Sequence, residues 1–124
     1  MRLRWNFFTA DMDHQRSERV GDLLIEIISD LLRQEIRDPR VATVTLTEAR
    51  VSKDLKHAQI YFNVLGGAAS RSEVLAGLKS ASGFIRGRVG RELKLRYVPT
   101  IEFVYDDSED QAQRIDHLLN QIKS

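Results

Sequence analysis

Residues 81–91 read Ala81-Ser82-Gly83-Phe84-Ile85-Arg86-Gly87-Arg88-Val89-Gly90-Arg91, and whether this run continues a helix or restarts one decides the shape of the molecule. A serine-glycine pair such as Ser82-Gly83 is a recognised point at which helices break. Upstream, residues 72–81 carry Val74, Leu75 and Leu78 at helical spacing. Downstream, from about Phe84 to Leu95, Ile85, Val89 and Leu93 fall at i, i+4 and i+8. The reading is a short helix, a kink at Ala81-Ser82-Gly83 and a second helix. A helix that restarts exposes unpaired backbone N–H groups, and these attract anions. Lys79 before the joint, with Arg86 and Arg88 after it, would add side-chain charge to the same spot. The alternative is an ordinary turn between two core helices.

Upstream of this region, Val20, Leu23, Leu24, Ile27, Ile28, Leu31 and Leu32 form the stripe of an amphipathic helix over about residues 15–37. Asp38-Pro39 ends it, because proline disfavours helical geometry in the residue before it and lacks a backbone donor. Two strands follow. Ala58, Ile60, Phe62 and Val64 alternate with Gln59, Tyr61 and Asn63, so one face is apolar. In the preceding strand Val44 and Leu46 share one parity and Ala49 and Val51 the other. An extra residue near Thr47-Glu48 would return both pairs to the core, which predicts a β-bulge. Ser52-Lys53-Asp54 supplies the turn of an antiparallel hairpin. A last strand covers Thr100 to Tyr105, and Asp106-Asp107-Ser108 opens a terminal helix carrying Ile115, Leu118, Leu119 and Ile122. The order α-β-β-α-kink-α-β, with a short C-terminal helix, is an α+β domain. Three segments are expected: an unassigned arm at 1–13, one domain at 14–108 and a helical tail at 109–124.

At 124 residues and 42% hydrophobic content the chain fills one modest core. It has no cysteine, which excludes disulfides, thiolate zinc sites and thiol catalysis. No apolar run reaches the roughly 18 residues that cross a bilayer, and the first residues lack a signal-like apolar region. A cytoplasmic protein without a membrane partner is expected.

The formal net charge is +1, but it is unevenly spread. Residues 71–97 hold seven cationic side chains, Arg71, Lys79, Arg86, Arg88, Arg91, Lys94 and Arg96, against Glu73 and Glu92. Residues 98–124 hold Arg114 and Lys123 against six carboxylates. Gly87, Gly90, Arg91 and Lys94 lie opposite the Ile85-Val89-Leu93 line. Glycine inside a helix costs about 0.5–1 kcal/mol relative to alanine, which propensity cannot explain. A phosphate backbone lying close against a smooth, cationic helix face would explain both features. The competing reading is a solvated helix face that binds nothing.

Arg37-Asp38-Pro39-Arg40, Val51-Ser52-Lys53-Asp54-Leu55, Ala81-Ser82-Gly83-Phe84-Ile85-Arg86, and Leu95-Arg96-Tyr97-Val98-Pro99 leading into Phe103-Val104-Tyr105-Asp106 together resemble the ribosome-binding factor A family. The resemblance runs from about His14 to Ile122. It implies a type II KH-like fold of three strands and a first helix supporting a helix-kink-helix. It also implies association with the immature small (30S) ribosomal subunit and its 16S rRNA late in rRNA processing. A monomer without a cofactor is expected. KH domains that grip single strands use a Gly-x-x-Gly loop; the family's shortened Ala-x-Gly is matched by Ala81-Ser82-Gly83. The implied contacts to structured rRNA are Lys79, Ser82, Gly83, Arg86, Arg88, Arg91, Lys94 and Arg96, with Arg37, Arg40, Lys53 and Lys56 as weaker candidates.

Catalytic signals are missing. His14, His57 and His117 are far apart, and neither a phosphate-binding loop nor a nucleophile elbow occurs. Asp106-Asp107-Ser108-Glu109-Asp110 is read as a strand end and helix cap, Trp5, Phe7 and Phe8 as part of the unassigned arm. The expected function is therefore non-enzymatic RNA binding. The second reading is an adaptor that docks an acidic partner such as an assembly GTPase.

Overall fold

The computed structural model describes the backbone of residues 2–65 and 70–123, and the side chains of residues 15–65, 70–108 and 115–121. The elements are α1 (Arg2–Gln34), a single 3-10 turn (Pro39–Val41), β1 (Val44–Val51), β2 (His57–Val64), α2 (Arg71–Leu93), β3 (Thr100–Tyr105) and α3 (Ser108–Lys123). The expected α+β domain with a three-stranded sheet is present.

The alternating strands form a sheet of order β1-β2-β3, with β2 antiparallel to β1 and parallel to β3. The predicted bulge is where parity required it. Leu46 pairs with Phe62 and Glu48 with Tyr61, which leaves Thr47 as the additional residue. One face therefore turns Ala58, Ile60 and Phe62 inward, and these are buried beneath α1 and α2 together with Leu24, Ile28, Leu31, Val74, Leu78, Ile85 and Val89. In the β1–β2 turn Leu55 adopts a left-handed φ of 61°, and its side chain is nevertheless buried. The Leu55 N–H donates to the Ser52 carbonyl at 2.9 Å, and the Asp54 carboxylate accepts from Ser52 Oγ and from Lys56 N. Burial of the leucine offsets a backbone cost of about 1–2 kcal/mol.

The break and restart expected at Ala81-Ser82-Gly83 do not occur: α2 is one continuous α-helix from Arg71 to Leu93. The apolar stripes on either side of Ser82-Gly83 are in phase. Val74, Leu78, Ala81, Ile85 and Val89 continue a single inward row, and Val74, Leu78, Ile85 and Val89 are fully buried. Each large apolar side chain contributes about 1.5–3 kcal/mol on burial, so keeping the row in register outweighs one interior glycine. With no restart there are no free N–H groups at position 83, and the anion site expected at the joint does not form.

Two further boundaries differ. The backbone of α1 is already helical at Arg2, so residues 2–13 continue that helix; the side chains of Trp5, Phe7, Phe8 and His14 lie outside the described residues. At its other end α1 stops at Gln34, and Pro39 opens the 3-10 turn capped by Asp38.

Candidate nucleic-acid interface

The outward side of α2 gathers most of the predicted cations. Lys79, Ser82, Gly83, Arg86 and Arg91 are exposed along one rod, with Lys94 exposed at its C-terminal cap. Among the described residues Lys79, Arg86, Arg91 and Lys94 have no carboxylate partner. A Cβ built on Gly83 or Gly87 would meet nothing within 4 Å, so the helix surface between the cations is bare. Lys94 holds a left-handed φ of 51°, a cap conformation for which glycine or asparagine is the usual residue. A cation is thus retained where conformational preference would select against it.

Other candidates are placed differently. Arg88, expected on the exposed face, turns toward α1: its guanidinium donates to Glu35 Oε2 at 2.6 Å and lies 3.8 Å from Glu92 Oε1. The side chain is 28% exposed, and its charge is already matched. Gly90 also has an internal reason, since a Cβ there would come 2.8 Å from Val98 Cγ2. The bare helix surface is therefore formed by Gly83 and Gly87 alone among these glycines. Arg40 is clasped by Asp38 at 2.7 Å, which holds the Asp38 carboxyl below its ordinary range and raises the guanidinium. Its remaining reach is to Ser80 Oγ at 3.5 Å, on α2. Arg37 is exposed beyond α1. Lys53 and Lys56 are exposed on the β1–β2 turn. The Thr100 N–H donates to the Lys56 carbonyl at 2.8 Å, so that turn shares one end of the sheet with the α2–β3 connection carrying Arg96.

Sequence reasoning gives no role to two exposed aromatics. Phe84 is 46% exposed, with the Arg88 guanidinium 5.9 Å from its ring centre; Tyr97 is 64% exposed, beneath Arg96 at 5.5 Å. Phe84 falls outside the inward row, which is the one signal that could have marked it. Aromatic and guanidinium planes of this kind are suited to stacking on unpaired bases.

The carboxylates after β3 are engaged locally. Asp106 accepts hydrogen bonds from Ser108 Oγ at 2.6 Å, Thr47 Oγ1 at 2.6 Å and Ser108 N at 3.0 Å, which bring its pKa down to about 2. Among the described residues no group of three or more histidine, cysteine or carboxylate side chains could hold a metal ion, and no helix is long and apolar enough to cross a membrane.

Comparison with known proteins gives concordant results. The family model described as Ribosome-binding factor A matches residues 16–119. A ribosome-binding factor A from Halothermothrix orenii is 41% identical over 112 residues, covering 90% of this chain and 92% of the relative. The crystal structure of ribosome-binding factor A from Thermus thermophilus superposes with a TM-score of 0.64 at 21% identity, covering 72% of this chain and 94% of that one. A homology model of the Thermus thermophilus factor, fitted into a cryo-EM map of a 30S–RbfA complex, superposes with a TM-score of 0.60 at 21% identity, covering 73% and 96%. The sequence match spans nearly the whole domain and the fold agrees with it, and the chain belongs to the ribosome-binding factor A family.

Proposed function

We propose that this chain is an assembly factor that binds the immature 30S subunit and its 16S rRNA, acts in the cytoplasm during late maturation, and catalyses no reaction itself. The outer face of α2 is the docking surface. The observation that carries this reading is the set Lys79, Arg86, Arg91 and Lys94, without carboxylate partners among the described residues, around the bare positions Gly83 and Gly87. Phosphate oxygens can approach such a surface closely while the surrounding cations release counterions, a mode that follows backbone shape rather than base sequence. Ser82 lies on the same face, with Arg96, Lys53 and Lys56 beyond its C-terminal end; Arg40 reaches α2 at Ser80 Oγ but is clasped by Asp38, and Arg37 lies beyond α1. Arg88 belongs to the α1–α2 contact. The relative fitted into a 30S complex map supports the same partner. The adaptor reading has no comparable support.

The test is binding of the full chain to purified immature 30S subunits across a salt series. If four phosphates are neutralised, log K falls against log salt with a slope of roughly −3, from −0.7 to −0.9 per phosphate. Reversing Arg86 and Arg91 to Glu halves that slope and weakens binding by about 10- to 100-fold at moderate salt, with an unchanged melting temperature. Affinity indifferent to salt, or to this double reversal, contradicts the proposal.

A further inference from the structure

On the side opposite its free cations, α2 borders a groove of the other sign. Leu23, Ile27 and Leu93 floor it, Glu26, Asp30 and Glu92 rim it, and it encloses about 320 Å³ between α1 and α2. Leu23 is 40% exposed, although its helix neighbours Leu24 and Ile28 are fully buried. Glu26, one turn along from Leu23, has no cationic partner among the described residues. Asp30 pairs with Arg33, and Arg88 spans the groove end between Glu35 and Glu92. The rim therefore remains acidic after its internal pairs are formed.

We propose that this groove receives a short amphipathic polypeptide segment with apolar side chains on one face and lysine or arginine on the other. Charge complementarity selects the occupant. A phosphate backbone is repelled by Glu26 and Glu92, and a hydrated cation gains nothing from an apolar floor. A segment that sets a leucine-sized side chain against Leu23 and Leu93 and an ammonium or guanidinium against Glu26 satisfies both surfaces. The chain's own α3 does not fit, because Glu109, Asp110 and Asp116 outnumber Arg114 and Lys123 along it. The proposal stands independently of the RNA reading, and it gives α2 a cationic edge for nucleic acid and an acidic edge for protein.

The test titrates the 15N-labelled full chain with a helical peptide of about four turns, leucine on one face and arginine on the other. Saturable amide shifts are expected at Leu23, Glu26, Ile27 and Leu93. Glu26→Lys alone, on the exposed rim, should weaken the interaction severalfold, and Glu26→Lys with Leu23→Ser by about tenfold. Equal binding of a peptide of the same composition with its leucines scattered, shifts unaffected by Glu26→Lys, or the same amides responding to an RNA hairpin would each overturn the proposal.

Discussion

Four glycines of α2 divide into two pairs, and the pairs have opposite surroundings. A Cβ on Gly77 would meet Val41 Cγ1 at 2.8 Å and Arg40 Cβ at 3.1 Å, and one on Gly90 would meet Val98 Cγ2 at 2.8 Å. Gly83 and Gly87 face open space. The arginines divide similarly: Arg88 is tied to Glu35, whereas Arg86 and Arg91 are free of carboxylates among the described residues. One helix thus uses the same two residue types for two purposes. Toward the protein, glycine admits the 3-10 turn and the β3 lead-in, and arginine bridges helices. Away from it, neither residue has an internal justification, and that absence locates the surface kept for a partner.

The comparison is most directly broken at Gly77. Gly77→Val should lower unfolding free energy by roughly 2–3 kcal/mol, because the buried Val41 cannot yield, and a denaturant melt would read it. Arg88→Met should cost about 1 kcal/mol, since its ion pair is partly exposed, while 30S affinity changes less than about twofold. A loss of affinity matching that of the Arg86/Arg91 reversal would erase the distinction between the two kinds of arginine. Gly87→Ala should act in the reverse sense, raising stability by about 0.5–1 kcal/mol while lowering 30S affinity roughly threefold. Higher stability with unchanged affinity would show that the bare surface contributes nothing to docking.

The smallest expected effect concerns acid. Asp106 has a folded pKa of about 2, below its ordinary value of 3.8, so the unfolded chain takes up its proton first. Its contribution is complete above about pH 4 and is lost as pH falls toward 2. Thr47→Val removes one of the hydrogen bonds responsible, and should flatten the acid limb of a stability-versus-pH curve without altering it at neutrality.

The sheet is legible in the sequence because its signals are local. Period-two alternation in β2 marks the inner face directly, and the parity change between Leu46 and Ala49 leaves only a bulge as its solution. The continuity of α2 is hidden for the complementary reason. Ser82-Gly83 carries a local preference to break, whereas the force that suppresses the break comes from Leu24, Ile28 and Phe62, which are distant in sequence. Gly90 falls on the wrong side of a helical projection on the same ground: its neighbour Val98 is fixed by how the β3 lead-in crosses α2, which helical periodicity does not contain, and the Glu35 partner of Arg88 is likewise set by the packing of α1 on α2. The upstream extension of α1 leaves no apolar period to find.

Because α2 connects the parallel strands β2 and β3, both of its ends are moored to the same sheet. An unbroken helix held this way is a ruler. At a rise of about 1.5 Å per residue, Lys79 and Arg86 are offset along the helix axis by about 10 Å and Lys79 and Arg91 by about 18 Å. A fixed length standard of this kind would discriminate among RNAs by whether their phosphates recur at matching intervals. A hinged pair of helices would instead adjust its reach to several spacings and lose that selectivity.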